Sequence, residues 1–260
     1  TFKNPAIQSG NLTLVLTSVF FRSSWRYQDR AYRRICWDTG HIWGNIDLIS
    51  FPCGFKAVAV GGCNDKAIND ILELDENEEQ GLALISLTDK NNKEANDFPK
   101  ALPSRLDSTD IKTPEGNRLI QIHNRSTMEK YVGVPNIKID DLEKKILFCP
   151  KVSFDENNVD FNWKQSLYTT LLKRRSTRAF SGESISKEEL GAILDFGYHP
   201  ELFSNGVLDS KPDYFDTSLI ETFIAINDVD GIEEGCYYYS KEGRYLRQIR
   251  FKNFREEVHY

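Results

Sequence analysis

The segment that determines the fold spans residues 25–49 and reads WRYQDRAYRRICWDTGHIWGNIDLI. Its second part carries apolar residues at helical spacing, at Ile35, Ile42, Ile46 and Ile49. Pro52 and Gly54 follow, and residues of these two types commonly end helices. The spacing therefore predicts one long helix over residues 31–51, preceded by a polar stretch in which arginine and aromatic residues are interleaved.

Strand patterns lie on both sides of this helix. Alternating apolar residues predict a strand over residues 12–19, and continuous apolar runs predict buried strands over residues 56–60 and 81–88. Asn64 or Asp65 can cap a short helix between the last two strands. This order predicts helices that pack against a sheet.

The rest of the chain divides at a long polar stretch. Residues 91–160 are rich in Asn, Asp, Lys and Pro, and a connection of this length is unusual inside a compact domain, so we interpret it as a connector. After it, Ser186 and Glu189 form an S-x-x-E capping box that opens a helix. We expect this helix to bury three apolar residues, Leu190, Ile193 and Leu194. Apolar patterns over residues 219–227 and 236–239 predict two further strands. Together, the predicted helices and strands indicate an α+β class with helices on a mixed sheet.

Composition narrows the class of protein. Of the 260 residues, 40% are hydrophobic and 28% are charged, as in soluble globular proteins, and no apolar run approaches the roughly 18–20 residues that span a bilayer. The net charge of −6 argues against a general nucleic-acid binder. Five cysteines without a C-x-x-C pair and four scattered histidines argue against a disulfide framework and a metal site. We therefore expect a cytoplasmic protein with no structural metal, membrane or nucleic-acid partner.

Two segments carry a family resemblance. Residues 173–197, KRRSTRAFSGESISKEELGAILDFG, resemble the opening of a nitroreductase-type flavoprotein domain. Residues 25–49, with FPCGFKAVAVGGCNDKAINDILELD at residues 51–75, resemble the later half of such a domain. The subgroup that they resemble is the azoline dehydrogenases of streptolysin-type and cyanobactin-type pathways. The resemblance implies an α+β, nitroreductase-like mixed sheet flanked by helices, which forms a dimer or an intrachain pseudo-dimer.

The two family segments occur in reversed order, since the later half of a domain precedes an opening half. The resemblance therefore implies a tandem protein. Residues 1–90 would be the C-terminal half of a first nitroreductase-like unit, residues 91–160 a connector, and residues 161–260 the N-terminal half of a second unit. The missing halves would lie before residue 1 and after residue 260, or on another fragment.

The family's R-R-S motif implies an FMN phosphate site. Arg174, Arg175 and Arg178 offer charge and paired donors for a phosphate dianion, and Ser176 offers a hydroxyl. In the family this motif contacts the phosphate and the ribityl chain of FMN. The alternative is that arginines at a helix end face solvent or stabilise the negative end of the helix dipole.

Gly61-Gly62 is the second expected cofactor contact. Glycine lets the backbone approach a flat ligand closely, and the family places this loop near the isoalloxazine ring. The alternative is an ordinary turn between a strand and a helix.

Arg26 and Tyr27 occupy the position of a Lys-Tyr pair that is proposed as the base and acid of azoline dehydrogenases. A guanidinium stays protonated, so Arg26 cannot act as a base and could only bind an anion or orient the peptide. Tyr27 remains able to exchange a proton beside several arginines. The alternative is a degenerate unit in which Tyr27 only packs. The nearby D-x-G-H-x-x-x-N pattern predicts a buried polar network of Asp38, His41 and Asn45.

The resemblance implies an FMN-dependent dehydrogenase that oxidises thiazoline or oxazoline rings to thiazole or oxazole in a ribosomally made peptide. Its partners would be the azoline-containing precursor peptide and a cyclodehydratase. Two alternatives stay open: a non-catalytic scaffold or leader-recognition subunit, and a general NAD(P)H nitro- or quinone reductase. The scaffold alternative depends on Arg26 and on residues 212–218, PDYFDTS, which lack the small residues that the family has there.

Overall fold

The computed structural model describes residues 5–89, 118–129, 142–154, 166–199 and 220–258. The chain forms two compact units. The first unit comprises Thr1–Asn136 and Pro212–Tyr214, and the second comprises Ile137–Lys211 and Phe215–Tyr260. The division at residues 90 and 160 stays a prediction, because most of the expected connector lies outside the described residues. Residues 212–218 also lie outside them.

The first unit contains five helices and three strands among its described residues. In chain order these elements are α1 (Pro5–Ser9), β1 (Leu12–Val19), α2 (Phe21–Tyr27), α3 (Ala31–Ser50), β2 (Phe55–Val60), α4 (Asp65–Ile71), β3 (Glu79–Asp89) and α5 (Arg118–Ser126). A 3₁₀ turn, Gln28–Arg30, joins α2 to α3. The long helix and all three strands occur where the sequence predicts them.

The sheet of the first unit is antiparallel, with β3 between β1 and β2. Two apolar clusters stabilise it by removing apolar surface from water. The first comprises Phe20, Ala31, Ile35 and Leu119. The second comprises Val60, Ile68 and Leu84. The predicted cap of α4 is confirmed at Asn64, whose side chain accepts a 2.9 Å hydrogen bond from the Ala67 amide.

The second unit has its own sheet and core. Its described elements are β4 (Lys151–Ser153), α6 (Leu167–Lys173), β5 (Ile185–Ser186), α7 (Lys187–Tyr198), β6 (Phe223–Ile226), β7 (Val229–Asp230), β8 (Gly235–Ser240), β9 (Tyr245–Arg250) and α8 (Arg255–Val258). The main sheet has the order β4-β9-β8-β6 and is antiparallel, whereas the short β5 and β7 pair in parallel. Its buried core comprises Leu190, Leu194, Ile226, Ile232, Tyr237, Tyr239 and Leu246.

Helix α7 begins at the predicted capping box. The Ser186 hydroxyl accepts from the Glu189 amide at 3.1 Å, and the Glu189 carboxylate accepts from the Ser186 amide at 2.8 Å. Leu190 and Leu194 are buried as predicted, but Ile193 is 63% exposed. The prediction was wrong for Ile193 because the buried face of α7 is narrower than expected. It contains Leu190 and Leu194 but not Ile193.

The observed class is α+β, with helices beside antiparallel sheets. Among the strands that the structure describes, β5 and β7 form the one parallel pair, so the predicted mixed character is limited to them there. Within the described ranges, no helix has both the length and the apolar content to cross a bilayer.

Candidate functional site

Arg26 and Tyr27 end helix α2 at the surface of the first unit. Both side chains are exposed, and 37% of Tyr27 is accessible to solvent. The Arg34 guanidinium carbon lies 4.8 Å from the centroid of the Tyr27 ring, and that of Arg26 lies 5.5 Å from it. The guanidinium groups of Arg26 and Arg34 therefore both contact the face of this ring. The Tyr27 side chain as a whole remains partly exposed to solvent.

The local backbone explains why Arg34 reaches Tyr27. Gln28, directly after α2, has a φ of 49°, and its amide donates to the Ser24 carbonyl. A residue in this left-handed region turns the chain sharply. The 3₁₀ turn then leads into α3, whose first turns carry Arg34 back over Tyr27. Helices α2 and α3 thus form one surface around the phenol.

Gly61-Gly62 follows β2 and precedes the Asn64 cap. A Cβ atom at Gly61 would meet no heavy atom within 4 Å, so the space beside it is open among the described residues. The register pairs Val60 with Leu84 and Val19 with Glu79. Both β1 and β2 therefore run toward the N-terminal end of β3, but β2 ends opposite the middle of β3, whereas β1 continues to its first residue.

The predicted phosphate-binding residues lie in the second unit. Arg174, Arg175, Ser176 and Arg178 are all exposed on the irregular segment after α6. The Arg175 guanidinium donates to the Leu172 carbonyl at 3.0 Å and to the Arg174 carbonyl at 2.7 Å. Arg175 therefore binds the carbonyl end of α6, as the helix-dipole alternative predicts, and only a change of rotamer would turn it to a ligand.

The predicted polar network on α3 was wrong. Asp38, His41 and Asn45 are exposed. The cluster that contains Phe20 and Leu119 covers only the first turns of α3. After Ile35, the next buried residue of this helix is Ser50, its last residue. Helical spacing places polar residues on one face, but burial requires another element against that face.

His123, a buried histidine on α5, was not found from the sequence. It is 6% exposed, and its Nδ1 lies 3.3 Å from the Tyr32 hydroxyl. Its ring centroid lies 5.4 Å from that of Phe20. Burial lowers the pKa of His123, and the charge of Asp65 opposes this shift. His123 was missed because α5 lies within the segment that was interpreted as a connector.

A second unpredicted cluster surrounds Glu143 in the second unit. Ser240 donates to its carboxylate at 2.7 Å, the Arg247 guanidinium lies at 3.3 Å, and the Tyr245 hydroxyl also donates to it. Burial raises the pKa of Glu143, but these hydrogen bonds and the Arg247 charge outweigh burial and leave it below its usual range. Since these residues are about a hundred positions apart, spacing could not bring them together. The described residues contain no group of His, Cys, Asp and Glu arranged to hold a metal.

The fold has a clear counterpart among solved structures. No protein-family model and no curated protein matches the chain. A protein from Anabaena variabilis, whose crystal structure is described as that of a "putative nitroreductase", is 41% identical to it, with a TM-score of 0.74. The match covers 98% of this chain and 52% of that one. The chain therefore has a nitroreductase-like fold, and it spans about half the length of the protein that it matches.

Proposed function

We propose that the chain is part of an FMN-dependent oxidoreductase and, more narrowly, of an azoline dehydrogenase that acts on a ribosomally made peptide. The observation that carries the proposal is the 41% identity to a nitroreductase structure over 98% of this chain. The narrower activity is supported by Tyr27, which the resemblance matches to the tyrosine of the azoline dehydrogenases' Lys-Tyr pair and whose side chain is exposed to solvent.

The described residues fit FMN in charge and in donor type. Exposed guanidinium groups at Arg174 and Arg178 and the Ser176 hydroxyl suit a phosphate dianion. The open space at Gly61 leaves room for a flat ring beside the backbone. When bound, FMN supplies the two-electron redox chemistry, and the protein supplies binding, orientation and proton exchange.

The side chains around Tyr27 have separate tasks in this proposal. Tyr27 exchanges a proton with the azoline ring of the substrate. Arg26 remains charged, so it binds or orients an anionic group of the peptide and takes no proton. Arg34, whose guanidinium lies over the Tyr27 ring, contacts the face of the phenol and places a positive charge beside it.

The test is oxidation of a synthetic peptide that contains a single thiazoline, followed by mass spectrometry. The purified full-length protein that contains this chain, supplied with FMN and air, is expected to remove two hydrogen atoms from the ring and give thiazole. An unchanged peptide mass, with FMN demonstrably bound, would exclude this substrate class. Turnover of a nitroaromatic with NADPH, in place of azoline oxidation, would support the general reductase instead.

A second candidate is a scaffold that recognises the peptide and performs no chemistry. Arg175, which binds the carbonyl end of α6, and Arg26, which stands in place of a lysine, favour it. This candidate predicts peptide or cyclodehydratase binding without FMN uptake. Both candidates, the dehydrogenase and the scaffold, include a dimeric or pseudo-dimeric assembly and a cytoplasmic location.

A further inference from the structure

Arginine and aromatic side chains form an exposed surface on the first unit. Helix α2 presents Arg22, Trp25 and Arg26 at i, i+3 and i+4 spacing, which places them on one face. Arg30, the residue directly before α3, and Arg34 and Trp37 within α3 follow at i, i+4 and i+7 spacing. We define these six residues, with Tyr27 between them, as the arginine–aromatic surface.

Tyr27 makes the two helical faces continuous. The guanidinium carbons of Arg26 and Arg34 lie 5.5 and 4.8 Å from the centroid of its ring. Arg34 also lies 5.6 Å from the centroid of Trp37. A guanidinium that stacks on an aromatic face keeps its N–H groups at the edge, where they can bind a carboxylate in pairs. The stacking therefore orients Arg34 before any ligand arrives.

The charge of this surface is opposite to that of the whole chain. Residues 22–38 contain five arginines and two acidic residues, Asp29 and Asp38, whereas the chain carries a net charge of −6. Asp29 already accepts a 2.8 Å hydrogen bond from the Arg118 guanidinium. It therefore does little to neutralise the arginines of the surface, which remain a local positive region on an acidic protein.

We propose that the arginine–aromatic surface binds an acidic segment of the peptide substrate, an inference that rests on the proposed peptide-oxidising function. From Arg30 to Trp37 the helix rises about 10 Å, which is about three residues of an extended peptide. Several separated guanidinium groups suit several carboxylates better than one small anion. Trp25 and Trp37, 65% and 61% exposed, offer apolar contacts for side chains between the acidic residues.

Charge also disfavours two other occupants. A nucleic acid would extend beyond this surface over an otherwise acidic molecule, which repels a long polyanion. A second copy that used the same surface would place arginines against arginines, because a two-fold interface is self-complementary. A short acidic peptide segment avoids both the repulsion by the rest of the acidic molecule and the contact of arginine with arginine.

The test compares two fluorescein-labelled peptides of equal length, one with Glu and one with Gln at alternate positions. Fluorescence anisotropy with the whole 260-residue chain is expected to show about tenfold tighter binding of the Glu peptide, and screening should weaken this preference as salt rises. The R22Q/R30Q variant should lose much of the preference, because it keeps only Arg26 and Arg34 of the four arginines that define the surface. The K56Q/K66Q variant removes the same charge from other exposed positions of the first unit and should keep it.

Three outcomes would overturn the inference: equal affinity for both peptides, equal loss in both double variants, or tighter binding of a single-stranded oligonucleotide than of the Glu peptide. The assay requires no turnover, so it separates this inference from the proposed function. Protein that lacks FMN but prefers the Glu peptide supports the acidic-segment site and counts against oxidation. Protein that oxidises azolines without preferring the Glu peptide overturns the site alone.

Discussion

At the scale of single residues, Tyr27 has the contacts that the proposed chemistry requires. Two guanidinium groups lie over its ring, and its side chain stays partly exposed. Residue types predicted the chemistry that is available here, since arginine cannot act as a base and tyrosine can exchange a proton. The contribution of Arg34 was not predictable, because it depends on the left-handed turn at Gln28.

Replacing Tyr27 tests its role in proton exchange. Because general acid–base groups contribute roughly 10²- to 10⁴-fold, Tyr27→Phe is expected to lower azoline turnover by about 100-fold or more. Its FMN content should stay unchanged, since the phenol is not among the proposed FMN contacts. Tyr168→Phe, at another exposed tyrosine, is the matched control. Full turnover in Tyr27→Phe would remove Tyr27 from the chemistry.

Glu143 should make the stability of the second unit depend on pH. Its pKa is lower in the folded than in the unfolded chain, so its contribution is present above the unfolded pKa and is lost as pH falls through the folded pKa. Glu143→Gln leaves Arg247 without its counterion and should cost about 1–3 kcal/mol at neutral pH and much less at a pH acidic enough to protonate Glu143 in the folded chain. Urea unfolding at both pH values measures this. Glu242→Gln, at an exposed position, should cost little at either pH, and an equal effect in the two variants would refute the role of the cluster.

At the scale of elements, periodicity predicted where helices and strands form better than it predicted what covers them. The isoleucine spacing predicted α3 to within one residue at its C-terminal end. The D-x-G-H-x-x-x-N pattern gave the wrong burial for Asp38, His41 and Asn45, because the residues that cover α3, Phe20 and Leu119, come from other parts of the chain. Local signals such as caps were confirmed because their hydrogen bonds span three residues.

The capping box of α7 gives a prediction at this scale. Ser186→Ala removes the acceptor of the Glu189 amide and is expected to destabilise the protein by about 1 kcal/mol. Chemical unfolding at neutral pH measures the change. Ser181→Ala is the control, since its hydroxyl accepts one 3.3 Å bond in an exposed irregular segment and its loss should cost under about 0.5 kcal/mol. A smaller effect at Ser186 than at Ser181 would contradict this account.

Helix α5 should detach from the first unit when His123 is protonated. Burial lowers the pKa of His123 in the folded chain, so the stability contributed by the neutral ring is lost as pH falls below its unfolded pKa of about 6.5. The nearby Asp65 charge opposes this effect but does not cancel it. Hydrogen exchange of α5 amides, corrected for the intrinsic pH dependence, should show less protection at about pH 5 than at about pH 7.5.

Variants of two histidines separate this effect from general acid unfolding. His123→Gln removes the titrating ring and should reduce the pH dependence of protection in α5. His41→Gln changes an exposed histidine of α3 and should leave that dependence in place. A pH dependence that survives in His123→Gln would show that another group is responsible.

At the scale of the whole molecule, the class and the fold were predictable, while the assembly and the substrate were not. The α+β class followed from the order of patterns, and the nitroreductase-like fold followed from two segments that together cover only part of the chain. The tandem order stays a prediction, because the matched protein is about twice as long as the matching region. The predicted phosphate residues and the predicted glycine loop lie in separate units, so spacing alone could not test whether they share a ligand.

The most direct measurement is the visible absorption spectrum of the purified protein, followed by release and identification of any bound flavin. The account predicts a flavin spectrum and stoichiometric FMN, either in the protein as purified or after FMN is added. The R174Q/R178Q variant should retain FMN more weakly than the control variant K56Q/K66Q. A colourless protein that takes up no added FMN would contradict the proposed oxidoreductase and leave the scaffold as the better account.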